Sequence, residues 1–124
     1  MDKNLPTAPE AIGNYVTYKK VGNFVYTSGH IPITSNEKYL GKIPSEVSLE
    51  DGYEAAKLCA ELTISSLIKH GDIKNLQPVN VIGFVNANEG FEDHAKVLNG
   101  FTDKLSEYFS EKSTRSAVGV ASLP

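Results

Sequence analysis

Arg115 is the residue best suited to hold an anion. It opens the run Thr114-Arg115-Ser116-Ala117-Val118-Gly119-Val120. A strand there would anchor its backbone and leave the planar guanidinium to grip a carboxylate or phosphate through paired N–H bonds. An ordinary solvated arginine at a strand end fits the same pattern. A second cluster, Thr27-Ser28-Gly29-His30, puts hydroxyls, bare backbone and an imidazole in one short run. Gly29 would let a ligand approach the main chain and so form the wall of a small-anion pocket; a glycine-containing bulge is the alternative. Tyr15 offers a phenol or a ring face to a pocket rim, and core or edge packing suits it equally well.

The remaining reactive side chains point away from other chemistries. His30, His70 and His94 form no HxxxH or HExxH pair, so no metal site is expected. His70 suits a helix end and His94 a helix surface. Cys59 is the single cysteine, which excludes an intramolecular disulfide and a cysteine-rich zinc site. It falls on the apolar face of a helical pattern and reads as structural, not as a nucleophile. No GxSxG elbow, P-loop or GxGxxG occurs.

These residues need elements to position them. Residues 1–9 carry two prolines and read as an extended arm or loop. Apolar and aromatic positions from Ile12 to Tyr18, then Phe24 to Ser28, predict two antiparallel strands, with a turn at 20–23 centred on Gly22-Asn23. Pro32 ends the second strand. Tyr39 to Ile43 reads as a short third strand. A helix is expected from Ser48, its N-cap, to Gly71, its stop. Pro78 to Val85 reads as a buried strand, and Asn86 and Asn88 beyond it as turn residues. A second helix follows Gly90, and Ser116 to Ala121 forms the last strand. The order is β-β-(β)-α-β-α-β. Two one-sided helices cover one sheet face, so the other face needs further copies of the chain to hide it.

Composition agrees with one soluble domain spanning 1–124. The chain has 124 residues, 40% of them hydrophobic and 22% charged, with a net charge of −3. That mild acidity argues against broad nucleic-acid binding. No apolar run approaches the roughly 20 residues that span a bilayer, and the first residues lack a signal-peptide core. A cytoplasmic protein is expected.

Four segments carry a resemblance: Ile12-Gly-Asn-Tyr-Val16, Thr27-Ser-Gly-His-Ile-Pro32, Gly83-Phe-Val-Asn86, and Arg115-Ser-Ala-Val-Gly-Val-Ala-Ser-Leu-Pro124. In order and spacing they resemble the Rid/YjgF family, also called the L-PSP endoribonuclease family. The Lys96-Val-Leu-Asn-Gly100 segment is similar to a YjgF-like bacterial subgroup.

The resemblance implies a chorismate-mutase-like α/β fold: one mixed β-sheet with two helices packed on one face, assembled as a homotrimer with clefts between subunits. It implies hydrolysis of 2-imino or enamine acids to 2-oxo acids and ammonia, with no cofactor. Arg115 would bind the substrate carboxylate, Gly29 and His30 would help hold the ligand, and Ser28 and Tyr15 would complete the catalytic set. A non-catalytic small-acid binder or metabolite sensor is the alternative; an endoribonuclease or translation inhibitor ranks below both.

The departures from the family pattern are specific. The usual final strand after Leu-Pro, with its water-orienting glutamate, is absent from the sequence. This leaves a repurposed member or a shortened form as readings. Ala117 stands where many deaminases carry cysteine. The helix asparagine common in the family falls at Leu98, with Asn99 adjacent.

Overall fold

The computed structural model describes residues 4–124; the first three residues of the expected arm lie outside the described residues. The rest of that segment is fastened. Leu5 packs into a core cluster, and the Ser65 hydroxyl donates to the Pro6 carbonyl at 2.6 Å.

Strand β1 (Tyr18–Val21) pairs antiparallel with β2 (Phe24–Thr27). Val21 stands opposite Phe24, so Gly22-Asn23 alone makes the turn. Gly22 has φ 59°, the positive value wanted at the first central residue of a II′ hairpin turn. The expected first strand over 12–18 is therefore shifted. The Tyr15 N–H bonds to the Gly13 carbonyl at 2.9 Å, which curls the chain out of any ladder before Tyr18.

Helix α1 (Leu49–His70) has the expected ends. The Ser48 hydroxyl accepts from the Asp51 N–H at 3.0 Å, and the Gly71 N–H reaches the Leu67 and Ile68 carbonyls. Glu50 and Asp51 lie at its positive end, Lys69 and His70 at its negative end. Leu58, Ala60, Leu62, Ile64, Ser65 and Ser66 are buried. These positions wrap around more than one side, because the hairpin, the N-terminal segment and the second helix all lie against α1.

Strand β3 (Asn80–Asn86), helix α2 (His94–Leu105) and strand β4 (Thr114–Val120) form a β-α-β unit. β3 and β4 are parallel, in register from Asn80 opposite Thr114 to Asn86 opposite Val120. Leu98 sits over Gly83, where a Cβ would come within 2.4 Å of it. Helix α2 rests on β3 and β4, and α1 packs against α2 and reaches the hairpin. At the helix crossing a Cβ on Gly100 would lie 2.0 Å from the Tyr53 carbonyl oxygen. Tyr53 also donates its hydroxyl to Asp103 at 2.7 Å.

The α/β class, the two helices and the mixture of antiparallel and parallel pairing hold. Among the described residues the strands form two separate two-stranded sheets, β1–β2 and β3–β4. No described strand bridges them. The expected third strand at 39–43 contributes only a bridge from Ile43 to Ala87. Gly41 has φ 125°, and the Glu46 carboxylate turns back onto the Lys42 N–H, so the chain cannot stay extended.

One core cluster joins Ile43, Val85 and Val97; another joins Ile64, Leu105 and Phe109. The face of β3–β4 away from α2 is different: Ile82, Phe84 and Val118 are exposed at 56%, 59% and 42%. Among the described residues, no helix is long and apolar enough to cross a membrane.

Candidate functional site

Alternation along β4 turns Arg115, Ala117 and Gly119 toward α2 and Val118 away from it. Arg115 is half-buried, and α2 holds its guanidinium at three points. Nη1 donates to Asn99 Oδ1 at 2.8 Å and to Thr102 Oγ1 at 3.0 Å, and Nη2 donates to the Ala95 carbonyl at 3.2 Å. Residues 95, 99 and 102 share one helix face, so the side chain runs along α2 toward its N-terminus. Thr102 can accept because its own hydroxyl points at the Leu98 carbonyl.

Every one of these partners is neutral, and no described carboxylate pairs with Arg115. Among the described residues three of the five guanidinium N–H groups are used, which leaves Nε and one Nη2 hydrogen for a ligand. An uncompensated, rigidly held guanidinium beside an exposed strand is suited to a small carboxylate. Asn99, and not Leu98, supplies the helix amide: Leu98 is buried against Gly83. The register of α2 on β4 decides this. Sequence spacing alone leaves the two positions indistinguishable.

The other expected site residues lie on the hairpin side. Ser28 donates its hydroxyl to the Val16 carbonyl in a short bond, which ties the end of β2 to the segment carrying Tyr15. Tyr15 is 47% exposed, and its phenol oxygen accepts from the Ile12 N–H at 3.4 Å. Above Gly29 there is open space, since an added Cβ would meet nothing within 4 Å.

His30 turns toward α1. Its Nδ1 lies 3.1 Å from Thr63 Oγ1 and its Nε2 lies 3.2 Å from Ser66 Oγ. Thr63 already donates to the Cys59 carbonyl, so it accepts from Nδ1–H, and Nε2 accepts from Ser66. Burial lowers the His30 pKa below 6.5, partly opposed by a bond to the Ser28 backbone. The imidazole thus fastens the Gly29 loop to α1, and both its nitrogens are engaged within the chain. No hydrogen bond links Arg115 to Tyr15, Ser28, Gly29 or His30 among the described residues.

Two groups behave unlike simple surface residues. Burial pushes the Cys59 thiol up to about 12, which removes it as a nucleophile. His94, which the sequence suggests is a helix-surface residue, is half-buried over β4. A Cβ on Gly119 would come within 2.5 Å of its Nε2, and Phe91 packs edge-on against its ring at 5.2 Å. The missing signal was the glycine at position 119, which leaves room for the ring. No cluster of potential metal ligands occurs among the described residues. An open depression of about 560 Å³ near Pro44 and Phe91 is lined by Glu89, Glu92 and Asp93, whose charges repel an acid ligand.

Residues 2–122 match the family described as "YjgF/chorismate mutase-like, putative endoribonuclease". The chain belongs to the YjgF family. Among curated YjgF-type relatives, the 2-iminobutanoate/2-iminopropanoate deaminase of Escherichia coli is 32% identical over 100% of this chain and 89% of its own length. Protein TCP17 of Trypanosoma cruzi is 32% identical over 97% of this chain and 79% of its own. Of solved structures, the protein Atu1372 of Agrobacterium tumefaciens superposes with a TM-score of 0.82 at 30% identity, covering 90% of this chain and 75% of that one. E. coli TdcF, solved with bound serine, gives 0.66 at 29% identity, covering 94% and 83%.

Proposed function

We propose that this YjgF protein hydrolyses small 2-imino acids to 2-oxo acids and ammonia. The observation that carries the reading is Arg115: a half-buried guanidinium held by neutral groups of α2, with two N–H groups that meet no acceptor among the described residues. Likeness to the E. coli deaminase supports it. The chemistry asks little of the protein. A protonated imine carbon is already electrophilic, so fixing the carboxylate and placing a water supply most of what is needed. Water adds to the imine carbon, the C=N pair moves to nitrogen, and the carbinolamine expels ammonia as the C=O forms. No cofactor enters this scheme.

The cleft is completed in a homotrimer. The exposed Ile82, Phe84 and Val118 face is apolar enough to be covered by neighbouring copies. Assembly would also bring a hairpin carrying Tyr15, Ser28, Gly29 and His30 toward Arg115 of another copy. Turnover of 2-iminobutanoate, generated in situ, is the test: it should vanish in Arg115→Ala while the fold and the trimer persist. Equal turnover in both proteins would refute the reading. A second reading, a small-acid binder without turnover, is favoured by the neutral set around Arg115. It predicts saturable 2-oxobutanoate binding, lost in Arg115→Ala, with no ammonia released.

A further inference from the structure

The groups that hold Arg115 fix the carboxylate end of a ligand and provide nothing to take a proton from water. Asn99 and Thr102 are neutral, and the Ala95 carbonyl is backbone. The residue beside Ala95 is His94. Its ring lies over Gly119, on the same face of β4 as Arg115 and Ala117. Between the two side chains, on this face, the strand offers the methyl of Ala117. The position is open to small ligands, since Ala95, Asn99 and Gly119 are all exposed.

His30 and His94 differ in what their ring nitrogens meet. Both nitrogens of His30 are engaged by α1 hydroxyls. The His94 ring makes no side-chain hydrogen bond among the described residues, and Phe91 holds it edge-on. An imidazole packed in place with free nitrogens can accept a proton.

We propose that His94 is the general base of the Arg115 site. This rests on the deaminase reading above. With the carboxylate on Arg115, the imine carbon is one bond, about 1.5 Å, beyond the carboxyl carbon. It would then lie on the Ala117 side of the His94 ring, where a water between the two would complete the line. The water oxygen bonds to the imine carbon, the C=N electron pair goes to nitrogen, and one water proton goes to an imidazole nitrogen of His94. The imidazolium returns that proton to the amino nitrogen. Ammonia leaves as the hydroxyl becomes the carbonyl, and the hydroxyl proton passes through His94 to the departing ammonia. An iminium and water thus become an oxo acid and ammonium, with His94 restored.

The test compares His94→Ala and Gly119→Ala with the wild type in turnover of 2-iminobutanoate and in binding of 2-oxobutanoate. The methyl that Gly119→Ala adds would occupy the place of the ring and displace it without removing it. Each variant is expected to lose about 100-fold or more in kcat, as loss of a general base does, and in His94→Ala the 2-oxobutanoate Kd should change by less than about threefold. Added imidazole should restore part of the His94→Ala rate and none of the Arg115→Ala rate. Variants that keep kcat within about threefold of wild type overturn the assignment while leaving the deaminase reading intact. So does a loss of rate that imidazole does not rescue and that tracks a weaker Kd. A wild type without turnover overturns both.

Discussion

Gly100→Ala separates packing from helix propensity by the sign of its effect. Alanine in mid-helix is favoured over glycine by about 0.8–1.0 kcal/mol. Position 100 faces the Tyr53 carbonyl oxygen at 2.0 Å from an added Cβ, with the Lys57 nitrogen at 3.2 Å. Ordinary contact begins at 3.4 Å, so α1 and α2 must part by about 1.4 Å there. Both obstacles are backbone, and no side-chain rotation relieves them.

Overpacking of this kind costs about 1–3 kcal/mol, occasionally more. The upper part of that range applies, and a net loss of about 2 kcal/mol remains after the propensity gain. At about 2.1 cal/mol/K per residue, the 124-residue chain shifts Tm by about 4 °C per kcal/mol. A fall of about 8 °C by calorimetry is expected. Because Asn99 and Thr102 ride on α2, 2-oxobutanoate binding should weaken as well. Gly71→Ala, where a Cβ meets nothing within 4 Å, is the control and should stay within about 2 °C. A rise of about 4 °C for Gly100→Ala, the value propensity alone provides, would refute the close helix approach.

Three further outcomes follow from the same geometry. Asn99→Ala removes a hydrogen bond to a charged donor and should weaken 2-oxobutanoate binding about tenfold by calorimetry, with Leu98→Met far less effective. His30 has a lowered pKa when folded, so the unfolded chain binds its proton first. Its contribution to stability is complete above 6.5 and is lost as pH falls below it. His30→Gln should therefore flatten the fall in urea midpoint between pH 7 and pH 5. Cys59, with its thiol pushed up to about 12, should react with a disulfide reagent at pH 8 about 10³-fold more slowly than free cysteine.

Much of the fold was legible from local signals. Ser48, Gly71 and the charges beside them mark α1 to the residue, because capping is set by neighbours in the chain. Gly22-Asn23 marks the hairpin turn. The start of β1 was misplaced because apolar residues at 12, 16 and 18 mimic a strand while the chain curls at Gly13–Tyr15. The candidate site was half legible. Arg115 stands out by type and position, and so does the Ser28–Gly29 run. His94 does not, since an imidazole in the first turn of a helix looks solvated until Gly119 is seen beneath it. His30 reads as a pocket group until Thr63 and Ser66 are found on its nitrogens.

Residue types and short spacings established the helices, the hairpin, the guanidinium at the head of β4 and the family resemblance, because each depends on contacts within a few residues. Pairings between distant segments were decided only in three dimensions. The register of α2 on β4 chose Asn99 over Leu98 as the partner of Arg115 and laid His94 on Gly119. The packing of the β2 loop on α1 occupied His30. The division into two ladders put the hairpin before Ser28 and Gly29 in a different sheet from Arg115 and left an apolar face on β3–β4. Such choices rest on how whole elements fit against one another, and neighbouring positions of similar chemistry compete for them until the elements are packed.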